Sequence, residues 1–248
     1  MRGMARLKLS PRFVLTFAWF YGWSSVKRGP GWVLSYMTWP LALLFMIYML
    51  SRGRLIDYAI LGGVISTVTS NALSALGDTA FMKLEIKLQD LLVAADVSPI
   101  EYLVGVGLGN LLYSFPGLAV FLALLIVFRV LTTPLEWAVL LIALLFLAVG
   151  GAGLAFLGGS RLRHVRNSWG LASFLSIFLT MIPPIYYPYT ALPRPALYAL
   201  MLSPATPAAV FLQQLMAGDP PSFALLGIFI VENVAYAMLG LWLGRWED

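Results

Sequence analysis

The 248-residue chain contains no cysteine, a single histidine and few charged side chains. The absence of cysteine excludes disulfides and thiolate metal sites. Charged residues make up only 11% of the sequence, whereas hydrophobic residues make up 60% and the mean hydropathy is +0.87. A soluble domain needs far less apolar material for its core. The sequence therefore predicts an integral membrane protein.

Motifs for nucleotide hydrolysis and for metal-dependent proteolysis are also missing. The sequence has no G-x-x-x-x-G-K-[ST] phosphate loop and no H-E-x-x-H pair. An intramembrane enzyme needs a nucleophile or metal ligands at a common depth, which Glu232 in a predicted span and His164 in a predicted loop do not supply. We therefore expect no catalytic residue, cofactor or metal in this chain, and no ATP hydrolysis by it.

The apolar residues fall into six runs that are long enough to cross a membrane as helices. About 20 residues are needed for about 30 Å of hydrocarbon. Lipid offers no partners for backbone amides and carbonyls, and the runs lack the alternation of barrel strands, so helices are required. The sequence predicts an all-α fold with a six-helix transmembrane domain over residues 30–248. The predicted spans are residues 31–50, 58–76, 102–128, 137–157, 169–187 and 223–243.

Basic residues indicate the orientation, because lysine and arginine accumulate in cytoplasmic loops. Twelve of them fall in segments that are cytoplasmic if both termini are inside, against four in the outer loops. The net charge of +5 then reflects topology and anionic lipid headgroups, and no nucleic acid is expected as a partner. The predicted location is the cytoplasmic (inner) membrane. The inner set is Arg2, Arg6, Lys8, Arg12, Lys27, Arg28, Lys83, Lys87, Arg161, Arg163, Arg166 and Arg245.

Residues 1–29 are predicted to form a cytoplasmic segment and an interfacial helix. Ser10 has the position of an N-cap and Pro11 that of the first helical residue. Aromatic residues that favour the headgroup region follow at Trp19, Tyr21 and Trp23. The alternative is a cleaved signal peptide. Against it, the apolar run is followed by two basic residues and has no A-x-A-like site.

The loop of residues 83–99 contains two helix signals. Ser98, Pro99 and Glu101 form a capping-box pattern at the start of the third span. Before it, an apolar stripe at helical spacing predicts a short amphipathic helix that is too charged to insert. This helix is either a solvated connector resting on the membrane or a docking helix for a cytoplasmic partner. The stripe is Leu84, Leu88, Leu91 and Leu92, and the polar positions are Lys83, Glu85, Lys87, Gln89 and Asp90.

Residues 188–221 hold two apolar pieces, 196–202 and 207–217, that are about half the length of a span. They predict a re-entrant outer hairpin between the fifth and sixth spans. Thr206 and Pro207 are the expected N-cap and first position of the second piece. Broken helices are tolerated only where protein or a watery cavity covers them. An ordinary outer loop packed on the bundle is the alternative.

Polar residues in and near the spans are the candidates for a translocation path. Those of the second span form a stripe, which helix-to-helix hydrogen bonding explains as well as a substrate path does. The acid of the sixth span lies about 15 Å inside it, where structural packing and substrate contact or gating both stay open. Two tyrosines near the outer end of the fifth span complete the set. The candidates are Thr67, Ser70, Asn71, Ser74, Tyr186, Tyr187 and Glu232.

Two segments carry a resemblance to a known family. The first loop has Glu85, Asp90, the run LLVAA, then Ser98-Pro99 and Gly105, and the second segment is IPPIYYPYTALPRPALYALMLSPATP. Both resemble the type 2 ABC exporter permeases, the membrane-spanning subunits of ABC transporters, and the resemblance covers essentially the whole chain. It departs from the family at Asp96, where proline is usual.

The resemblance implies a permease that moves an amphipathic drug, a lipid or a lipid-linked glycan outward. Two copies of a cytoplasmic ABC ATPase would bind ATP and Mg, and a second permease copy or a paralogue would complete the transporter. The alternative is a secondary transporter or channel with no ATPase partner. In the exporter, the short helix of the first loop couples the permease to the ATPase. The implied coupling residues are Glu85, Leu88, Asp90, Leu91, Leu92 and Asp96.

Overall fold

The computed structural model describes residues 9–246, with the exception of the Trp32 side chain. Arg2, Arg6 and Lys8, which belong to the predicted inner basic set, lie outside the described residues. Within residues 9–246 the chain is helical and has no strand. The predicted all-α class is confirmed.

The described helices follow one another with short connections. A π-helical turn, Trp19–Trp23, joins the first two, and 3₁₀ turns at Val165–Asn167 and Tyr189–Ala191 precede the eighth and ninth. In chain order the helices are α1 (Pro11–Ala18), α2 (Ser24–Arg28), α3 (Pro30–Ser51), α4 (Ile56–Leu84), α5 (Leu88–Ala94), α6 (Pro99–Val127), α7 (Pro134–Gly159), α8 (Ser168–Met181), α9 (Arg194–Leu200), α10 (Thr206–Ala217) and α11 (Phe223–Leu243).

Five of the described helices are long and apolar enough to cross a membrane, namely α3 over Val33–Ser51, α4, α6, α7 and α11. The chain is therefore a multi-pass membrane protein. The predicted fifth span differs, because its helix α8 has only 14 residues and is about 21 Å long. It ends before Pro183 and Pro184, whose rings cannot continue a helix. Residues 169–187 are thus not one continuous helix, and α8 is too short to span alone.

Helix α4 forms the centre of the bundle. It packs against α3, α6, α7 and α8, and 89% of its most apolar stretch is buried. It is also longer than the predicted span of residues 58–76, because the helix continues past Gly77 to Leu84. Helix α11 packs mainly on α7, and α3 leaves most of its surface exposed. The polar stripe predicted on the second span therefore lies on the most enclosed helix.

Glycines allow α7 and α11 to cross closely. A side chain at Gly240 would place its Cβ 2.5 Å from the Gly153 carbonyl oxygen. A Cβ at Gly153 would in turn lie 2.6 Å from the Cα of Ala237. Gly244, four residues after Gly240, faces the Phe156 ring at 2.4 Å by the same measure. Gly240 and Gly244 of α11 are therefore packing positions.

The N-terminal segment packs lengthwise against α6. Ser10 caps α1 as predicted, since its Oγ accepts a hydrogen bond from the Phe13 amide at 3.4 Å. A Cβ at Gly105 would meet the Phe17 ring at 3.0 Å, and one at Gly109 would meet the Tyr21 ring at 2.7 Å. The glycine pair of α6 therefore receives the N-terminal segment, not another membrane-spanning helix.

Glu101 caps two helices at once. The predicted capping box is present, because Glu101 Oε2 accepts from the Ser98 amide at 2.8 Å while Ser98 Oγ accepts from the Glu101 amide at 3.3 Å. In addition, Glu101 Oε1 accepts from the Ser10 amide at 2.6 Å. One buried carboxylate thus joins the N-termini of α1 and α6.

Replacing Glu101 by alanine is expected to destabilise the protein by about 2 kcal/mol, because two helix N-termini lose an acceptor. Glu136 is the matched control, since it forms a capping box for α7 alone. Its replacement by alanine should cost about 1 kcal/mol. Thermal unfolding in detergent measures both variants. Trypsin cleavage after the exposed Arg12 should accelerate only in Glu101→Ala, and equal cleavage of the two variants would contradict the double cap.

The two half-length pieces between the fifth and sixth predicted spans form helices α9 and α10, close to the predicted bounds. Thr206 was expected to be the N-cap of α10, and this is wrong. It is the first helical residue, its hydroxyl has no hydrogen-bond partner among residues 9–246, and Ala205 precedes it as the cap. Gln213 of α10 instead organises this region by donating to the carbonyl of Pro184 at 2.8 Å and accepting from the Tyr189 amide at 2.9 Å.

Candidate translocation groove and docking surface

A single polar line is open along the central helix α4. Every residue between Ala59 and Ala80 is buried except Ser70, Ser74 and Asp78. These three residues are spaced by four, so they lie on one face of the helix. Helices α3 and α8 flank this face. We call this feature the α4 groove; it is defined by Ser70, Ser74 and Asp78.

The walls of the α4 groove contact its floor. On one side, the Tyr36 side chain of α3 lies beside Ser74. On the other side, Thr180 of α8 lies 3.5 Å from Ser70, oxygen to oxygen, and Ser176 donates to the Ser70 carbonyl at 3.3 Å. The groove therefore runs between α3 and α8.

Thr67 and Asn71, the other predicted members of the stripe, lie away from the groove. Asn71 is buried and donates to the Ser114 hydroxyl of α6 at 2.7 Å. Thr67 is also buried and donates to the carbonyl of Gly63, one turn earlier in α4, at 2.6 Å. The predicted stripe thus divides by burial: Thr67 and Asn71 are buried, whereas Ser70 and Ser74 are partly exposed between α3 and α8.

Asp78 was not among the predicted site residues, because the predicted span ended at Leu76. It lies four residues after Ser74, so continuing the same spacing past the predicted end is the signal that finds it. Its Oδ2 accepts from the Tyr21 hydroxyl at 2.6 Å, and the Trp169 side chain also hydrogen-bonds to it. Burial, and then the Asp78 charge, raise the pKa of Tyr21 well above its usual value. Tyr21 therefore stays a hydrogen-bond donor to this carboxylate.

The two predicted path tyrosines lie near the hairpin and not in the groove. Tyr186 is buried, and its ring contacts the space that a side chain at Gly62 would occupy. Its hydroxyl is hydrogen-bonded to Ser66 of α4. Tyr187 donates to the Ile182 carbonyl at 2.6 Å. Both therefore hold the chain that follows α8.

Glu232 lies in α11 at the contact with the α9–α10 turn, away from the α4 groove. Tyr236, one turn later, lies 2.7 Å from Glu232 Oε1 and 2.5 Å from the Leu202 carbonyl oxygen, measured from its hydroxyl oxygen. The Tyr236 hydroxyl is the donor in both contacts, so its one hydrogen is shared between the Glu232 carboxylate and the Leu202 carbonyl. Asn233 adds a hydrogen bond to the Pro204 carbonyl at 3.2 Å. Tyr236 and Asn233 therefore hold α11 against the α9–α10 turn.

Helix α5 presents an exposed surface that combines apolar and acidic side chains. Ile86 and Leu91 are 51% and 64% exposed. The acids Glu85, Asp90 and Asp96 are exposed as well. We call these five residues the α5 surface.

The inward side of α5 differs from the predicted stripe. Leu88 and Leu92 pack against a buried cluster and do not contribute to the exposed surface. Gln89, predicted to be on the polar face, is buried and donates to the carbonyls of Arg245 and Trp246, both at 2.7 Å. The helix is therefore attached to the C-terminal segment, which sets the direction of the α5 surface.

Left-handed backbone conformations separate α5 from its neighbours. Lys87 before it has φ 58° and Asp96 after it has φ 57°. Proline is restricted to a φ near −65°, so the residue that is usual in the resembling family would not fit at position 96. Aspartate tolerates the left-handed region better than most residues. The departure from the family pattern thus has a local structural reason.

Comparison of the chain with protein-family models, with curated proteins and with solved structures gives no match. Among residues 9–246, no group of three histidine, aspartate or glutamate side chains is placed to hold a metal ion. The fold and the site therefore define only the class of protein. It is an all-helical multi-pass membrane protein with a polar groove along its central helix.

Proposed function

We propose that the chain is the permease subunit of an ATP-driven exporter of the type 2 ABC class, moving an amphipathic substrate outward. The observation that carries the proposal is the α4 groove. Lipid solvates neither serine hydroxyls nor a carboxylate, so a polar line that opens sideways from the central helix needs a covering other than lipid. A substrate path supplies that covering. In this proposal the protein lies in the cytoplasmic membrane with both termini inside.

A second permease copy or a close paralogue would close the α4 groove. The groove is flanked by α3 and α8 of its own chain, and among residues 9–246 no further helix packs over Ser70 and Ser74 between them. Two copies related by a two-fold axis can place their grooves face to face, which is the usual symmetry of a pair of like subunits. The path would then run along the axis between the copies.

The α5 surface supports a cytoplasmic ATPase as the second kind of partner. Its two exposed apolar side chains suit a shallow apolar cleft, and its three acids suit basic groups at the rim of that cleft. Because α5 follows the end of α4 and packs against it, a movement of α5 caused by the ATPase would also move the helix that forms the groove. ATP and Mg would be bound by the two ATPase copies.

A secondary transporter without an ATPase is the second candidate. Asp78 and Glu232 favour it, because acidic residues inside spans are used by ion-coupled carriers. The two residues belong to different contacts, one in the α4 groove and one at the α9–α10 turn. Co-purification of an ATP-hydrolysing subunit would select the exporter, and substrate transport driven by an ion gradient alone would select the carrier.

Single cysteines test the two-copy path, since the native chain has none. Ser70→Cys and Ser74→Cys should each cross-link between copies in membranes that also contain the ATPase, and ATP should change the yield severalfold. Ser66→Cys is the matched control on the same helix, because Ser66 is buried and should not cross-link. A monomer whose groove cysteines react alike with and without ATP would count against the exporter.

A further inference from the structure

Asp78 is a carboxylate within a membrane-spanning helix, and its partners in residues 9–246 are uncharged. They are the phenol of Tyr21 and the indole of Trp169. A charge removed from water without an opposite charge nearby is costly. An ionisable side chain inside a span is therefore a candidate for binding a charged partner in the working protein.

The two donors leave part of the carboxylate available. An indole N–H can only donate, and a carboxylate offers about four acceptor positions on its two oxygens. Trp169 and Tyr21 use two of them. Asp78 is one of three positions in this stretch of α4 that are only partly buried, so part of its side chain faces the groove. The carboxylate is thus held by its neighbours and is able to accept from a ligand.

Two pairs of aromatic rings lie near this carboxylate. On one side, Tyr36 and Tyr113 pack edge to face with centroids 5.4 Å apart, and both are within electrostatic range of Asp78. On the other side, the Trp169 and Phe81 rings lie 5.8 Å apart and are 44% and 37% exposed. The faces of such rings attract cations, and a desolvated contact is worth about 2 kcal/mol. A carboxylate among rings selects a cation over an anion or an uncharged sugar.

We propose that Asp78 and these four rings bind an amphipathic organic cation. Its ammonium or phosphonium centre would pair with the carboxylate, and its apolar substituents would lie on the rings. The inference rests on the proposed function, because it makes Asp78 the charge-selecting point of the translocation groove. Ser74 and Ser70 continue the groove toward the other end of α4, along the line that a bound cation would follow. Binding itself needs no ATPase.

Equilibrium dialysis of the purified permease in detergent tests this binding with labelled tetraphenylphosphonium. The native protein should bind it, and should not bind tetraphenylborate, which has the same shape and the opposite charge. Asp78→Asn should weaken binding at least tenfold, while Asp78→Glu should retain it. Asp57→Asn is the matched control, because Asp57 is exposed at the opposite end of the same helix. Phe81→Leu, which alters an exposed ring, should weaken binding about threefold. This variant replaces Asp78→Asn as the test if Asp78→Asn does not fold.

If Asp78 had only a structural role, a different pattern of stability and binding would be expected. Asp78→Asn and Tyr21→Phe would then lower the unfolding temperature equally, and tetraphenylphosphonium binding would survive in both. That result, or equal binding of the two tetraphenyl ions by the native protein, overturns the inference. Because the assay contains no ATPase, intact cation binding together with absent ATPase coupling would count against the exporter and leave the cation site standing.

Discussion

Replacing Glu85 and Asp90 together by lysine is expected to abolish the stimulation of ATP hydrolysis by substrate in vesicles that contain the permease and its ATPase. Both side chains are exposed on the α5 surface, where we propose that they accept hydrogen bonds from basic groups of the partner. Lysine at both positions would place positive charges opposite the basic groups of the partner. Losing two charge-assisted contacts and adding this repulsion lowers affinity by at least about 100-fold.

The controls for this double variant lie at the other end of the molecule. Asp57 and Asp219 are also exposed acids, and their joint replacement by lysine changes the net charge by the same amount. That control should leave ATPase stimulation intact. Both variants should reach the membrane in normal amounts, because neither pair lies inside the bundle. Full stimulation in the Glu85 and Asp90 variant would mean that the α5 surface does not carry the ATPase contact.

Alanine at Gly153 or Gly240 is expected to reduce the free energy of unfolding by about 1–3 kcal/mol, as for other over-packed positions. A new Cβ at either site would meet backbone atoms of the opposing helix at 2.5–2.6 Å. Backbone cannot rotate away as a side chain does, so α7 and α11 must separate. Separation also disturbs the place where Asn233 of α11 packs against Gly150 of α7.

Gly227 provides the control in α11, the helix of Gly240, since a Cβ at Gly227 meets nothing within 4 Å. Gly227→Ala should leave stability unchanged or raise it by up to about 1 kcal/mol, because alanine has less backbone freedom to lose than glycine. Denaturant titration in mixed micelles measures all three variants. Gly153 and Gly240 face each other, so the double variant should cost less than the sum of the single ones. Additive losses of unfolding free energy would contradict the conclusion that the two glycines lie at one crossing of α7 and α11.

Helix ends were the most predictable local features. Ser10, and Ser98 with Glu101, are capped as the sequence indicated, because a side chain three residues from a backbone amide reaches it without help from the rest of the fold. The second contact of Glu101, to the Ser10 amide, joins residues 91 positions apart. No local pattern encodes such a pairing. Thr206 is a cap that the sequence predicted wrongly, because the helix begins one residue earlier, with Ala205 as its N-cap.

Gln89 and Leu91 show why the docking helix was predicted in outline but not in orientation. Helical spacing placed Leu91 with the inward leucines and Gln89 with the polar side chains. The structure reverses the two, because the backbone carbonyls of Arg245 and Trp246 give Gln89 two buried acceptors. A buried glutamine is stable only when such partners exist. The C-terminal segment that supplies them is more than 150 residues away.

Sequence alone determined the membrane class and the all-α fold, because six apolar runs in a chain with 11% charge leave the backbone no other way to satisfy its hydrogen bonds in lipid. Only the tertiary structure decided which faces of those helices point outward. Lipid and protein interior are equally apolar, so a spanning helix lacks the contrast between faces that reveals orientation in a soluble helix. For that reason the stripe on α4 could be predicted from the sequence, whereas its division into buried Thr67 and Asn71 and partly exposed Ser70 and Ser74, and the addition of Asp78, depended on where α3, α6 and α8 pack.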